Sequence, residues 1–315
     1  MIIRRTRESM SSGLGKDQVQ PDMSHAILSL RTRAAEYSLG CGRLALLCAW
    51  NGRQDVCTEG RRVKVDDDTW LVMKGGSADV RIRGLQEIQA LTILFRRGMP
   101  EEVLGTLITD EDRLLESGEP PSASILPFLS HLQTHDRSVT PVLLFIRRHC
   151  DMGLEDPLWY EEQFAFLLER MLMHHRSVVV RAHNIPVRRA STRREILRRV
   201  SLSTDFIHSC YDRPLTLGDM AKSAYLSRHH FLRLFKSINA VTPHEYLQRK
   251  RTSVAARLLR SSEMAVEQIV RQVGFDSRST LFRALRRFHG LTPRQCRRMP
   301  QALPFMDPEA LVLSV

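Results

Sequence analysis

From about His25 to Phe95 the chain alternates short apolar runs with turn signals. AILSL, LALLCAW, WLVMKGG, ADVRI and LTILF are separated by segments such as LGCG and NGRQ. Runs of this length between Gly- and Asn-rich breaks predict strands, and strands at this spacing predict an all-β barrel or sandwich. Asn51-Gly52 predicts a hairpin turn. Further on the apolar period changes from two to that of a helix. GEPPSAS predicts a loop. VTPVLLFIRRHC, ending at Cys150, predicts a helix, as does WYEEQFAFLLERMLMHH, with Phe164, Leu167, Leu168 and Met171 on one face. The face is suited to packing on the β domain or on a partner subunit.

The last third of the chain repeats itself. SRHHFLRLFKSINAVTP (227–243) aligns without a gap over SRSTLFRALRRFHGLTP (277–293) at an offset of 50. Each copy opens on a serine, Ser227 or Ser277, whose hydroxyl suits a helix N-cap. At about 100° per residue, Phe231, Leu234, Phe235 and Ile238 share one face, as do Leu281, Ala284, Leu285 and Phe288. The opposite face carries His229, Leu232, Arg233 and Lys236 in the first copy and Ser279, Phe282, Arg283 and Arg286 in the second. Gly290 ends the second helix with the residue that most readily turns left-handed, and Ala240 stands in that place in the first.

A shorter amphipathic helix precedes each copy. One starts near Leu217 behind Thr216, and the other, in MAVEQIVRQVGFDS, ends at a turn through Gly274. Helix, tight turn and a second helix with a polar free side is the helix-turn-helix pattern, and it occurs twice. PHEYLQRKRTSVAARLLR, opened by Pro243, predicts one joining helix of about 18 residues, about 27 Å long. A rigid spacer of that length aims two recognition helices at successive major grooves about 34 Å apart, which favours duplex DNA over RNA.

Charge sharpens this division. Residues 193–298 hold 22 basic and 8 acidic side chains, a net of +14, whereas the rest of the 315 residues hold 25 and 27, a net of −2. A polyanion-binding module beside a near-neutral partner domain has this footprint. The basic part is a series of short helices rather than one lipid-facing amphipathic helix. No apolar run approaches the roughly 20 residues of a membrane span, and MIIRRTRESM lacks the apolar core of an export signal, so the expected location is cytoplasmic. The six cysteines, at 41, 48, 57, 150, 210 and 296, show no CxxC and no zinc spacing. They predict reduced thiols, with Cys41, Cys48 and Cys57 the candidates for a redox sensor.

The run from about Arg198 to Arg298 resembles the DNA-binding domain of AraC/XylS-type transcriptional regulators. The residues that carry the likeness are Ala221, Ser227, Phe235-Lys236, Pro243 and Tyr246, followed by Arg251, Ala255, Leu258-Leu259, Gly274-Phe275, Gly290, Thr292-Pro293 and Arg297. Tyr225 departs from it, at a turn position where the family often has glycine; so do Val270, in place of a small alanine, and Leu232, at a position often polar. The resemblance covers about 100 residues. It implies seven helices, two helix-turn-helix units, and promoter binding that activates or represses transcription. It places His229, Leu232 and Arg233 and, in the second unit, Arg278, Ser279, Phe282 and Arg283 against base edges.

The chemistry of those side chains gives them roles. Arg233 and Arg283 match the two acceptors of a guanine edge, and Leu232 and Phe282 match thymine methyls. Lys236, Lys250, Arg286 and Arg287 are expected on phosphates.

The expected fold class is α+β: a cupin-like N-terminal β-barrel or sandwich with a helical linker, then an all-α domain of two helix-turn-helix units joined by a central helix. The expected divisions are a flexible N-terminus (1–24), a cupin-like regulatory domain (25–155), a helical dimerisation or linker segment (156–192), a DNA-binding domain (193–298) and a tail (299–315). No histidine cluster lies between His25 and His131, so no metal, cofactor or enzymatic activity is expected. A barrel interior holds a small ligand in some proteins, and Trp50, Trp70 and Phe95 are the candidate pocket residues. The expected partners are double-stranded promoter DNA, RNA polymerase for an activator, a small-molecule effector and a second copy of the chain. The competing classes are a DNA-repair methyltransferase, which needs a reactive cysteine, and an architectural or RNA-binding protein that uses only the basic surface.

Overall fold

The computed structural model describes residues 2–6, 24–40, 42–58, 60–108, 130–183 and 190–299. The chain divides into two compact units, 1–134 with 138–178, and 135–137 with 179–315. GEPPSAS and Cys41 lie outside the described residues.

The first unit is a mixed, nearly closed sheet of eight strands: β1 (Ile2–Thr6), β2 (Ala26–Leu39), β3 (Leu44–Trp50), β4 (Arg53–Thr58), β5 (Arg61–Asp66), β6 (Thr69–Lys74), β7 (Ala78–Leu94) and β8 (His131–Thr134). Their order is β1-β2-β7-β3-β6-β8, with β4 between β5 and β7. Residues 2–6, expected to be flexible, pair in parallel with β2 and cover its edge.

β7 organises the sheet. ADVRI and LTILF, read as separate runs, are the two ends of this one strand. Its first half pairs with β4 and the end of β2, and its second half with β3 and the start of β2. Asn51-Gly52 therefore does not close a hairpin. β3 and β4 run one after the other along β7, and Asn51, at φ 62°, makes the break between them. β2 breaks register at the same level, between Thr32 and Ala34, where the Thr32 hydroxyl donates to the Ala34 carbonyl at 2.8 Å. Irregularities on both sides of β7 bend the sheet over itself.

The bend gives the strands two cores. Leu30, Tyr37, Leu47, Val56, Val63, Met73, Val80 and Ile82 fill the concave side. On the other side α1 (Met99–Ile108), α2 (Thr140–Asp151) and α3 (Pro157–His183) contribute Met99, Leu143, Ile146, Phe164 and Leu167 to a core with Cys48, Trp50, Trp70 and Phe95. With both faces covered, every residue of β3 is buried. A polar cluster fastens this layer. The His25 Nδ1 accepts the Arg96 backbone N–H at 3.1 Å, and its Nε2 lies 2.8 Å from the Glu161 carboxylate. Arg96 also grips Glu102 of α1 through two hydrogen bonds, at 2.9 and 2.7 Å, which raise its pKa above the ordinary range.

Seven helices follow among the described residues, as the resemblance implies: α4 (Ala190–Cys210), α5 (Leu217–Ser223), α6 (Arg228–Asn239), α7 (Pro243–Ser261), α8 (Val266–Gln272), α9 (Arg278–His289) and α10 (Pro293–Arg298). Thr216 and Asp219 form a reciprocal capping box at α5, and this hydrogen bonding holds the Asp219 carboxyl below its usual range. Ser277 accepts from the Thr280 backbone N–H at 3.2 Å, whereas Ser227 stands at the N-cap position without a side-chain cap bond. Tyr225 and Gly274, the matching turn residues of the two units, both have positive φ, 53° and 80°.

Candidate nucleic-acid interface

α6 and α9 are the second helices of the two units, and each buries the face its sequence predicts. Phe231, Leu234, Phe235 and Ile238 are buried under α6, and Leu281, Ala284, Leu285 and Phe288 under α9. The opposite faces are open to solvent. His229, Leu232, Arg233 and Lys236 are exposed on α6, as are Arg278, Ser279, Phe282, Arg283, Arg286 and Arg287 on α9. Two large apolar side chains stand out among these polar groups, Leu232 at 38% and Phe282 at 42% exposure. Both are available for an apolar contact with a partner.

Not every basic group expected to face DNA is equally available. Lys250 is buried at 5% exposure, with its ammonium 5.3 Å from the centre of the Tyr211 ring, and so drops out of the phosphate-facing set. α7 packs on both units, which turns Lys250 inward although its sequence neighbours are polar. Arg287 lies 3.1 Å from the Glu245 carboxylate, which also receives Arg249 at 3.2 Å. Arg278 is held by Glu267 of α8 at 2.6 Å. Among the described residues, Arg233, Lys236, Arg283 and Arg286 have no carboxylate partner.

α7, the predicted spacer, has 19 residues, about 28 Å of helix. Its first turn holds Glu245, and its middle holds Arg251, buried at 7% exposure with its guanidinium on the carbonyls of Tyr211 and Arg213. Burial lowers the Arg251 pKa. α7 is thereby bonded to the end of α9 and to the loop before α5, so the two units are fixed to one another through it.

A recess of about 560 Å³ opens beside the exposed face of α9. Val266, Phe282 and Pro293 give it apolar walls, and Arg283, Arg286, Arg294 and Arg297 surround it. Sequence reading missed Arg294 and Arg297 as functional candidates, because α10 has only six residues and shows no clear periodic face.

Trp50, Trp70 and Phe95 come together, but in the core shared with the helices rather than on the concave side of the sheet. Among the described cysteines, Cys48, Cys150, Cys210 and Cys296 are buried, and burial pushes the Cys48 thiol far up. No three metal-binding side chains gather among the described residues, and no helix there is long and apolar enough to cross a membrane.

A model of the helix-turn-helix domain family matches residues 220–299. The probable transcriptional regulator LumQ of Photobacterium leiognathi is 30% identical over 92 residues, 29% of this chain and 37% of that protein. The HTH-type transcriptional regulator AlkR of Acinetobacter baylyi is 34% identical over 91 residues, 29% of this chain and 30% of that protein. The matches thus span about a third of these relatives' length. A crystal structure of a transcriptional regulator from Chromobacterium violaceum, described as containing an AraC-type DNA-binding domain, is 26% identical, covering 32% of this chain and 90% of that one at a TM-score of 0.31.

Proposed function

We propose that this chain, whose residues 220–299 match a model of the helix-turn-helix domain family, is an AraC-type transcriptional regulator that binds promoter DNA sequence-specifically through two successive major grooves. The observation that carries the reading is the matched pair of exposed faces on α6 and α9, each basic and each with one unburied apolar side chain, on units joined by one bonded helix. Arg233 and Arg283 read guanine edges, and Leu232 and Phe282 touch thymine methyls. His229, Arg278 and Ser279 add hydrogen bonds to bases, while Lys236 and Arg286 meet phosphates. The cupin-like first unit takes a small effector, with Trp50, Trp70 and Phe95 in the core that responds to it, and supports a homodimer. RNA polymerase is the further partner where the outcome is activation, and the setting is cytoplasmic.

Selection of bound duplexes from a random library with the full chain tests this reading. The expected product is a motif with two parts about one helical turn, 10 base pairs, apart. Enriched duplexes without a shared motif would leave only phosphate binding, the architectural alternative.

A further inference from the structure

The recess beside α9 is not accounted for by base reading. Its walls, Val266, Phe282 and Pro293, are apolar, while Arg283, Arg286 and Arg294 around it have no carboxylate partner among the described residues. An occupant that satisfies both features carries apolar side chains and negative charge together. The chain encodes such a peptide directly after α10: residues 301–315, QALPFMDPEALVLSV, contain Leu303, Phe305 and Met306 next to Asp307 and Glu309, and no Lys, Arg or His. Arg297 lies on the recess, and the eight residues from there to Phe305 reach about 26 Å when extended. A short tether holds a weak ligand at millimolar effective concentration.

We propose that the recess takes this acidic, apolar peptide, and that peptide and DNA exclude one another because both use Phe282 and Arg283. The exclusion rests on the DNA-binding reading; the docking does not. Occupied, the recess covers one apolar reader and places carboxylates among the phosphate-facing arginines of the second unit. DNA must then displace the peptide, and the apparent affinity falls by the fraction of chains left open.

The test uses the full chain and a labelled random-sequence duplex of about 20 base pairs at fixed salt. Phe305→Ser with Met306→Ser keeps the charge and removes the apolar anchor, and Asp307→Asn with Glu309→Gln does the reverse. Both variants are expected to bind DNA more tightly, about fivefold if the peptide holds the recess four-fifths of the time. Separately, and without DNA, a labelled synthetic peptide of residues 301–315 is titrated onto the Phe305→Ser/Met306→Ser chain, where saturable binding is expected. A gain confined to the Asp307→Asn/Glu309→Gln variant would mean simple charge repulsion and overturn the proposal, as would a peptide that does not bind at millimolar concentration. A chain that binds no duplex at all sinks the DNA-binding reading, while the peptide titration still decides the docking.

Discussion

Arg251 donates its Nε–H to the carbonyl of Tyr211 at 2.8 Å, and that same carbonyl lies 2.9 Å from where a Cβ on Gly274 would stand. One oxygen thus meets both the joining helix and the turn of the second helix-turn-helix unit. Gly274 is at φ +80°, a conformation that costs other residues about 1–2 kcal/mol before any clash. Gly274→Ala is expected to lower stability by about 2 kcal/mol or more. Arg251→Met strips two carbonyls of charged donors, with a loss of about 3 kcal/mol. Urea unfolding followed by helix signal measures both, and a loss below about 0.5 kcal/mol in either would contradict this role for the contact.

α6 and α9 end alike but not equally well. Ala240 closes α6 at φ 61° and Gly290 closes α9 at φ 65°. Ala240 is exposed, so a change there removes no packing. Ala240→Gly is expected to stabilise by about 1 kcal/mol, and Gly290→Ala to destabilise by a similar amount. A melting temperature that falls in the first variant would show that the left-handed cap is not a source of strain.

Burial separates the basic side chains into two groups that DNA titrations at several salt concentrations will tell apart. Arg286→Ala is expected to weaken binding uniformly and reduce the salt slope by about 1. Lys250→Met, which alters a buried group, should leave the slope unchanged. Arg283→Ala is expected to cost about 1–3 kcal/mol and relax preference at one base pair. If preference at every base pair is unaltered, Arg283 is a phosphate contact.

His25 is expected to make the first unit sensitive to acid. Burial is the largest influence on it and lowers its pKa below the ordinary 6.5; Arg96 adds to this and Glu161 opposes it. In the window below 6.5, down to the native value, the unfolded chain binds the extra proton more readily. Stability from this group is therefore full above about pH 6.5 and falls as the pH drops through that window. His25→Gln should remove this part of the pH dependence, as read from urea midpoints between about pH 5 and 7.5. An identical slope in parent and variant would place the acid sensitivity elsewhere.

The helical unit was largely legible because its signals are local. Caps, a 50-residue repeat and one apolar face per helix are written within a few residues of each other, and Ala240 and Gly274 show the backbone their positions imply. The burial of Lys250 beside Tyr211 and the ion pair of Arg287 with Glu245 were not legible, because both environments come from residues distant in sequence. In the first unit, β4 and β5 escaped notice. RQDVCT and RRVKVD have few apolar residues, yet Gln54, Val56 and Thr58 alternate inward. Asn51-Gly52 supplied the right turn chemistry for a connection that does not close a hairpin, because pairing to β7 outweighs pairing between its own flanks.

β7 also bears on the time course of refolding. Its partners reach back to Ala26, which must find Leu94 before the sheet can close, whereas each helix-turn-helix unit assembles from neighbours along the chain. Loop-closure entropy delays the former and hardly touches the latter. The helical unit, with the exposed basic faces of α6 and α9, should therefore recover first on dilution from denaturant. The sheet, completed only when both ends of one 17-residue strand are in place, sets the pace for the whole molecule.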